Sequence, residues 1–123
     1  MAAATNFENL SLLYLCEGDF RFDEFLLAAH EKARRLVIGS GLLDSMSIMN
    51  NIDVDVVMID IDPDRISAEG LNQHILKMKL KKQGLSVIVI TDPSDLADNL
   101  TEADFIVNRD ISSSELERLV RFC

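Results

Sequence analysis

Hydrophobic and polar residues alternate along this chain in blocks, and the period of the pattern changes from one block to the next. Short runs almost free of polar residues are typical of strands buried on both faces. Between them, apolar residues recur every three or four positions, as they do in amphipathic helices. The pattern predicts strands over residues 10–15, 36–40, 55–61, 85–91 and 104–111, and helices over residues 20–34, 42–52, 66–84, 92–103 and 112–122.

The helix predicted over residues 66–84 shows the pattern most clearly. Leu71, Ile75 and Met78 share one face, and four lysines fall near its end, where cations complement the helix dipole. Gly84 is expected to end this helix. The fourth predicted helix, by contrast, has room for only about two turns. Five strand–helix units predict a single α/β domain over residues 1–123, with a doubly wound, five-stranded parallel sheet covered by helices on both faces.

The composition of the chain limits the functions that suit this fold. The chain has 123 residues, 48% of them hydrophobic, which predicts one core. No apolar run approaches the length of a membrane span. A net charge of −9 argues against nucleic acid as a ligand, since binding its backbone needs a cationic face. The first ten residues lack the features of a signal peptide, and two cysteines are too few for a disulfide framework, so a cytoplasmic protein is expected.

Polar side chains collect where the predicted strands end. Right-handed crossovers place the carboxyl ends of parallel strands along one edge, and ligands of such sheets bind there. The residues expected at this edge are Cys16, Glu17, Asp19, Asp60, Asp62, Thr91, Asp92, Asn108, Arg109 and Asp110. So many carboxylates need a cation or a proton, and Mg²⁺ held by one or two of them is the natural candidate. A carboxylate beside such an ion can also attack a phosphoryl group.

The segments "DVVMIDIDP", "VIVITD" and "ADFIVNRDI" resemble, in order and spacing, the third, fourth and fifth strands of receiver domains of two-component response regulators. The resemblance covers nearly the whole chain and implies their flavodoxin-like fold. It implies that Asp60 is the phosphoacceptor and that the Thr91 hydroxyl hydrogen-bonds the aspartyl phosphate. It also implies a Mg²⁺ site formed by the side chains of Glu17 and Asp60 and by the backbone carbonyl of Asp62.

Under this interpretation the domain is a phosphorylated switch and not an enzyme that releases a small-molecule product. The resemblance implies a sensor histidine kinase or a phosphotransfer protein as the partner that delivers the phosphoryl group. Phosphorylation would rearrange Thr91 and Arg109 and change a partner or homodimer surface around the fourth and fifth helices.

Three departures from the family pattern favour a second interpretation. Cys16 replaces the first of two acidic residues after the first strand, which weakens the implied Mg²⁺ site. Arg109 stands where the family has a lysine, and its planar guanidinium can hold Asp60 in a permanent ion pair. The fourth helix is about one turn shorter than in the family. A domain with these features would be a pseudo-receiver, a protein-interaction or dimerisation module that works without phosphorylation.

Two further motifs have little weight. "GSGLLD", residues 39–44, resembles the start of a dinucleotide fingerprint, but Asp44 replaces the third glycine. "DIDPD" resembles the DxD motif of haloacid-dehalogenase-type phosphatases. In those enzymes the motif ends the first strand of a larger domain, whereas here two strand–helix units precede it, and the chain is too short for such an enzyme.

Overall fold

The computed structural model describes residues 7–17 and 22–123, so Asp19, one of the acidic residues expected at the sheet edge, lies outside the described residues. A 3-10 turn, Phe7–Asn9, precedes the sheet. The strands are β1 (Ser11–Cys16), β2 (Arg35–Gly39), β3 (Val56–Asp60), β4 (Ser86–Ile90) and β5 (Phe105–Val107). The helices are α1 (Asp23–Lys32), α2 (Leu42–Asn51), α3 (Ala68–Lys81), α4 (Asp95–Asn99) and α5 (Ser113–Arg121).

All five strands are parallel and form one sheet in the order β2-β1-β3-β4-β5. The chain runs outward from β1 to β2 and then returns across β1 to β3, so the direction of winding reverses between β1 and β3. The predicted fold class, a doubly wound five-stranded α/β sheet, is therefore confirmed. Across residues 7–17 and 22–123, every helix is too short or too polar to be a membrane span.

The core has two layers because successive residues of each central strand face opposite sides of the sheet. In β3, Val57 and Ile59 pack with the side chains of α2, α3 and α4, while Val56 and Met58 pack with those of α1 and α5. Such two-sided burial explains why the strand shows no polar alternation. Asp60 is the last residue of this buried strand, and it is itself almost fully buried.

The elements on the β5 side of the sheet are short. α4 has five residues and begins at a serine cap, Ser94, whose Oγ accepts a hydrogen bond from the Ala97 amide; the predicted shortening of this helix is confirmed. β5 is shorter than predicted because the chain turns immediately after Val107. In that turn Asn108 accepts two hydrogen bonds, one at its side chain from the Asp110 amide and one at its carbonyl from the Ile111 amide.

A partly buried serine–histidine contact joins α2 to α3. The Ser45 hydroxyl donates a hydrogen bond to the Leu42 carbonyl at 2.7 Å, and its oxygen lies 2.6 Å from Nε2 of His74. Because the single hydroxyl proton is directed at Leu42, we assign Nε2 of the ring as the donor in the second bond. Burial, with a smaller effect of Lys77, lowers the pKa of His74 below 6.5. The native protein therefore favours the neutral imidazole.

This contact predicts a pH dependence of stability. As pH falls through about 6.5, the unfolded chain binds a proton at His74 before the native state does, so stability present above that pH is lost below it. Urea unfolding between pH 7.5 and 5.5, values chosen to span about one unit on each side of the ordinary histidine pKa, should show this loss. His74→Gln should flatten the dependence, whereas His30→Gln, at an exposed position, should keep it. Equal pH profiles for all three proteins would contradict the assignment.

Candidate functional site

Asp60 lies at the centre of the carboxyl edge of the sheet. Its register partners are Cys16, the last residue of β1, and Ile90, the last residue of β4. The Asp60 side chain is only 1% exposed. An ionised carboxylate removed from water costs several kcal/mol unless it is paired and hydrogen-bonded. The neighbours of Asp60 must therefore satisfy both of its oxygens.

One partner comes from β1. The hydroxyl of Tyr14 donates a hydrogen bond to Oδ2 of Asp60 at 2.8 Å, and Sγ of Cys16 lies 3.9 Å from the same oxygen. Tyr14 and Cys16 are two positions apart on one strand, so both side chains face the same side of the sheet as Asp60. Tyr14, the only tyrosine of the chain, is fully buried in an otherwise aliphatic stretch of β1. It is a site residue that sequence reasoning missed.

The other partner follows β5. Nε of Arg109 donates a hydrogen bond to Oδ1 of Asp60 at 3.3 Å, and its Nη1 lies 3.6 Å from Oδ2 of Asp92. The Arg109 side chain is only 17% exposed. The guanidinium therefore sits between a buried carboxylate and a more exposed one, and it contacts Asp60 through one nitrogen instead of a parallel fork. It supplies the positive charge that the buried carboxylate needs.

Thr91 follows β4 at the same edge and is buried. Its amide donates a hydrogen bond to the Val107 carbonyl, which continues the pairing between β4 and β5. Among the described residues, Oγ1 of Thr91 has no hydrogen-bond partner. A buried hydroxyl without a partner costs on the order of 1–3 kcal/mol, which makes Thr91 the one unsatisfied polar group of this neighbourhood within the described ranges.

Glu17 and Asp62 are exposed to solvent, whereas Asp60 is buried. Glu17 is exposed, and its carboxylate lies over Gly41 at the start of α2, where an added Cβ would be 3.4 Å from Oε1. Asp62 is also exposed, and its Oδ1 accepts a hydrogen bond from the Asp64 amide at 3.0 Å, a local turn contact. The structure thus brings Asp60 and Arg109 into contact, and neither Glu17 nor Asp62 hydrogen-bonds to them.

The described residues do not fit a Mg²⁺ site as they are arranged. Mg²⁺ requires near-octahedral oxygen ligands at about 2.1 Å, whereas a guanidinium nitrogen of Arg109 lies 3.3 Å from Oδ1 of Asp60 and its charge opposes a cation at that oxygen. Within residues 7–17 and 22–123, no group of three or more histidine, cysteine, aspartate or glutamate side chains is placed to hold a metal ion. Magnesium binding therefore stays a prediction of the family resemblance.

Comparison with known proteins gives similarity at the level of structure alone. No family model matches the chain, and no curated protein matches its sequence. A response regulator receiver domain (CheY-like) from Methylobacillus flagellatus superposes with a TM-score of 0.68 at 15% identity, over 94% of this chain and 98% of that one. A fusion that contains a yeast Spc42 trimeric coiled-coil segment superposes with a TM-score of 0.72 at 11% identity, over 96% of this chain and 80% of that one.

Identities this low establish the fold and leave the chemistry open, because one fold serves many functions. The similarity to the CheY-like domain extends over nearly the full length of both chains. The chain therefore has the receiver fold, with Asp60 at the end of its third strand.

Proposed function

We propose that this chain is a receiver-fold interaction module that works without phosphorylation, and that Asp60 is a structural carboxylate held by Arg109 and Tyr14. The observation that supports this proposal best is the engagement of both Asp60 oxygens, by Tyr14 at 2.8 Å and by Arg109 at 3.3 Å, in a side chain that is 1% exposed. The function would reside in the binding surfaces of the domain, and no small-molecule turnover is expected.

The chemistry of phosphoryl transfer explains why this arrangement supports the proposal. A carboxylate nucleophile must present an unhindered oxygen to phosphorus in line with the leaving group, and metal ions or cationic groups must neutralise the developing charge. Here one oxygen of Asp60 accepts the Tyr14 hydroxyl and the other accepts Arg109. Arg109 neutralises the carboxylate in the resting protein, so the attraction that would recruit a cation is already satisfied.

A second function is favoured by the unpartnered hydroxyl of Thr91. In this alternative, Asp60 accepts a phosphoryl group from a sensor histidine kinase or a phosphotransfer protein, and Mg²⁺ is held by Glu17, Asp60 and Asp62. The Thr91 hydroxyl would then find its hydrogen-bond acceptor in the aspartyl phosphate. This route requires that Arg109 leave Asp60 and that the acidic side chains approach one another.

The two functions are separated by exposure of the protein to Mg²⁺ and a small phosphodonor such as acetyl phosphate. Under the proposed function, intact-mass measurement should find no phosphate on the wild-type protein. Titration with Mg²⁺ should leave the urea midpoint of unfolding unchanged, because an ion that binds only the native state would raise that midpoint. One phosphate on the wild type and none on Asp60→Asn would establish the alternative.

A gain-of-function pair makes the expected negative result informative. Tyr14→Phe removes the hydroxyl donor, and Arg109→Lys replaces the planar guanidinium by a shorter ammonium that can swing away. If these groups block the carboxylate, the double variant should accept phosphate, and Asp60→Asn in that background should abolish the modification. If the double variant stays unmodified although it remains folded, Tyr14 and Arg109 do not block the site.

A further inference from the structure

Charged side chains are unevenly distributed along the strand direction of this acidic protein, with most exposed carboxylates towards the carboxyl edge of the sheet. We define the acidic edge as the exposed carboxylates near the carboxyl ends of the strands, and the basic end as the exposed cations where α1 and α5 finish. The acidic edge comprises Glu17, Asp44, Asp62, Asp64, Asp92 and Asp95. The basic end comprises Lys32, Arg34, Arg35 and Arg118, and one exposed carboxylate, Glu31, lies beside them. Helices α1 and α5 pack against each other on one face of the sheet, which brings their ends together.

The basic end carries an exposed aromatic side chain. Phe122 caps the carboxyl end of α5 and is 75% exposed, and Arg118 lies one helical turn before it. The neighbouring Cys123 approaches Ser86, the first residue of β4, which places this end of α5 at the amino edge of the sheet. Arg side chains and aromatic rings are the residues most enriched at the energetic centres of protein interfaces.

A groove of matching character opens at the opposite edge of the sheet. Its volume is about 370 Å³, and it lies at the reversal of winding between β1 and β3, where doubly wound sheets bind their ligands. Leu42, Ile61 and Ile66 contribute apolar surface to it. Glu17 and Asp44 contribute two carboxylates and Arg65 one guanidinium, so the charged lining keeps one net negative charge. Leu43, which also lines it, is 96% exposed.

We propose that the occupant of this groove is a second copy of the chain, docked head to tail through Phe122. The ring would enter the apolar part of the groove, and Arg118 would face the carboxylates of Glu17 and Asp44. The two complementary surfaces lie at opposite edges of the sheet, so the contact is heterologous. A contact of this kind adds copies in a row instead of closing a two-fold dimer. The proposal goes beyond the proposed function and does not depend on the state of Asp60.

The net charge of −9 opposes this association, and salt screening decides whether the local attraction survives. A five-residue strand spans about 17 Å, roughly twice the Debye length of about 8 Å at physiological ionic strength. Salt therefore largely screens the acidic edge of one copy from its own basic end, and each of these two surfaces attracts or repels a neighbouring copy mainly through its local charge. Apolar burial of Phe122 adds attraction that salt does not screen, whereas the Arg118 contacts weaken as salt rises.

Sedimentation velocity of the whole chain over a range of concentrations tests the proposal. At physiological salt, the average sedimentation coefficient should rise with concentration, and at about 1 M salt, where the Debye length is about 3 Å, the rise should diminish. Phe122→Ser and Leu43→Lys should each weaken self-association by about tenfold or more. Leu80→Ser, at an equally accessible leucine on α3 (80% exposed), is the matched control and should associate like the wild type.

A mixing experiment separates head-to-tail docking from other modes. Phe122→Ser keeps the groove and lacks the ring, while Leu43→Lys keeps the ring and has an altered groove. At concentrations where the wild type associates, each variant alone should associate much less than the wild type, and an equal mixture should form a 1:1 pair that grows no further.

Three results would overturn the proposal. The wild type could be monomeric at every concentration, or the mixture of variants could fail to pair. Alternatively, both variants could still associate, and Ile106→Lys on β5 could abolish the association. The last result would identify the exposed edge strand as the contact. None of these outcomes depends on whether Asp60 accepts phosphate, so the tests of the two proposals fail independently.

Discussion

Replacement of Arg109 by alanine is expected to lower the free energy of unfolding by about 3 kcal/mol, because loss of one partner of a buried ion pair leaves the other charge uncompensated. The Asp60 side chain is 1% exposed and would keep only the contacts from β1. Asp92, the other carboxylate near Arg109, is exposed and can be solvated by water. Urea unfolding at neutral pH measures the change directly.

Two companion variants show whether the loss is specific to the ion pair. Arg118→Ala removes an exposed arginine from α5 and should change monomer stability by no more than about 0.5 kcal/mol. Asp60→Asn in the Arg109→Ala background removes the uncompensated charge and should recover much of the lost stability. If Arg109→Ala is as harmless as Arg118→Ala, the guanidinium is not required to keep Asp60 buried.

The fold was predictable because its signals are local in sequence. In β3 and β4, near-continuous aliphatic runs of strand length are typical of strands buried on both faces. In α3 the spacing of Leu71, Ile75 and Met78 defines one buried stripe. The parallel arrangement then follows from the alternation of strands and helices, because a helix between two strands serves as the crossover that parallel strands need. β5 was overextended because the prediction continued the strand beyond Val107, although the apolar run ends there and Asn108 and Asp110 are residue types that favour turns.

The contacts of the site were only partly predictable, because they depend on how far each side chain reaches. Arg109 and Asp60 are 49 positions apart. Their contact is expected once β5 is placed near β3, because the two side chains carry opposite charges. The hydrogen bond from Tyr14 depends on register: two positions along β1 from Cys16, the phenol is long enough to reach Asp60. A single tyrosine among the leucines of β1 is the signal that could have indicated this hydrogen bond.

Loop residues were the least predictable part. Glu17 and Asp62 follow β1 and β3 as expected, yet a side chain beyond a strand end is directed by the local turn and not by the sheet. Asp62 uses one oxygen to accept the Asp64 amide, a preference that aspartate shows in turns of any fold. Glu17 extends over Gly41, where an added Cβ would lie 3.4 Å from its Oε1.

Asp60→Ala is expected to destabilise the domain by about 3 kcal/mol, and the sign of this change distinguishes a structural carboxylate from a member of an acidic site. In a cluster of like charges, removal of one carboxylate relieves repulsion and stabilises the protein. Here the carboxylate is paired, so its removal takes an acceptor from the Tyr14 hydroxyl. It also removes one of the two carboxylates that lie within 4 Å of the mostly buried Arg109 guanidinium among the described residues, which leaves only Asp92.

A double-mutant cycle measures the interaction free energy between Asp60 and Arg109. If Asp60 and Arg109 stabilise the fold through each other, Arg109→Ala should cost about 2 kcal/mol less in the Asp60→Ala background than in the wild type. Asp62→Ala, an exposed carboxylate two positions away, should show coupling near zero and serves as the matched control. A stabilising Asp60→Ala, or a coupling no larger than that of Asp62, would contradict the structural assignment of Asp60 and leave phosphoryl transfer as the better account of this carboxylate.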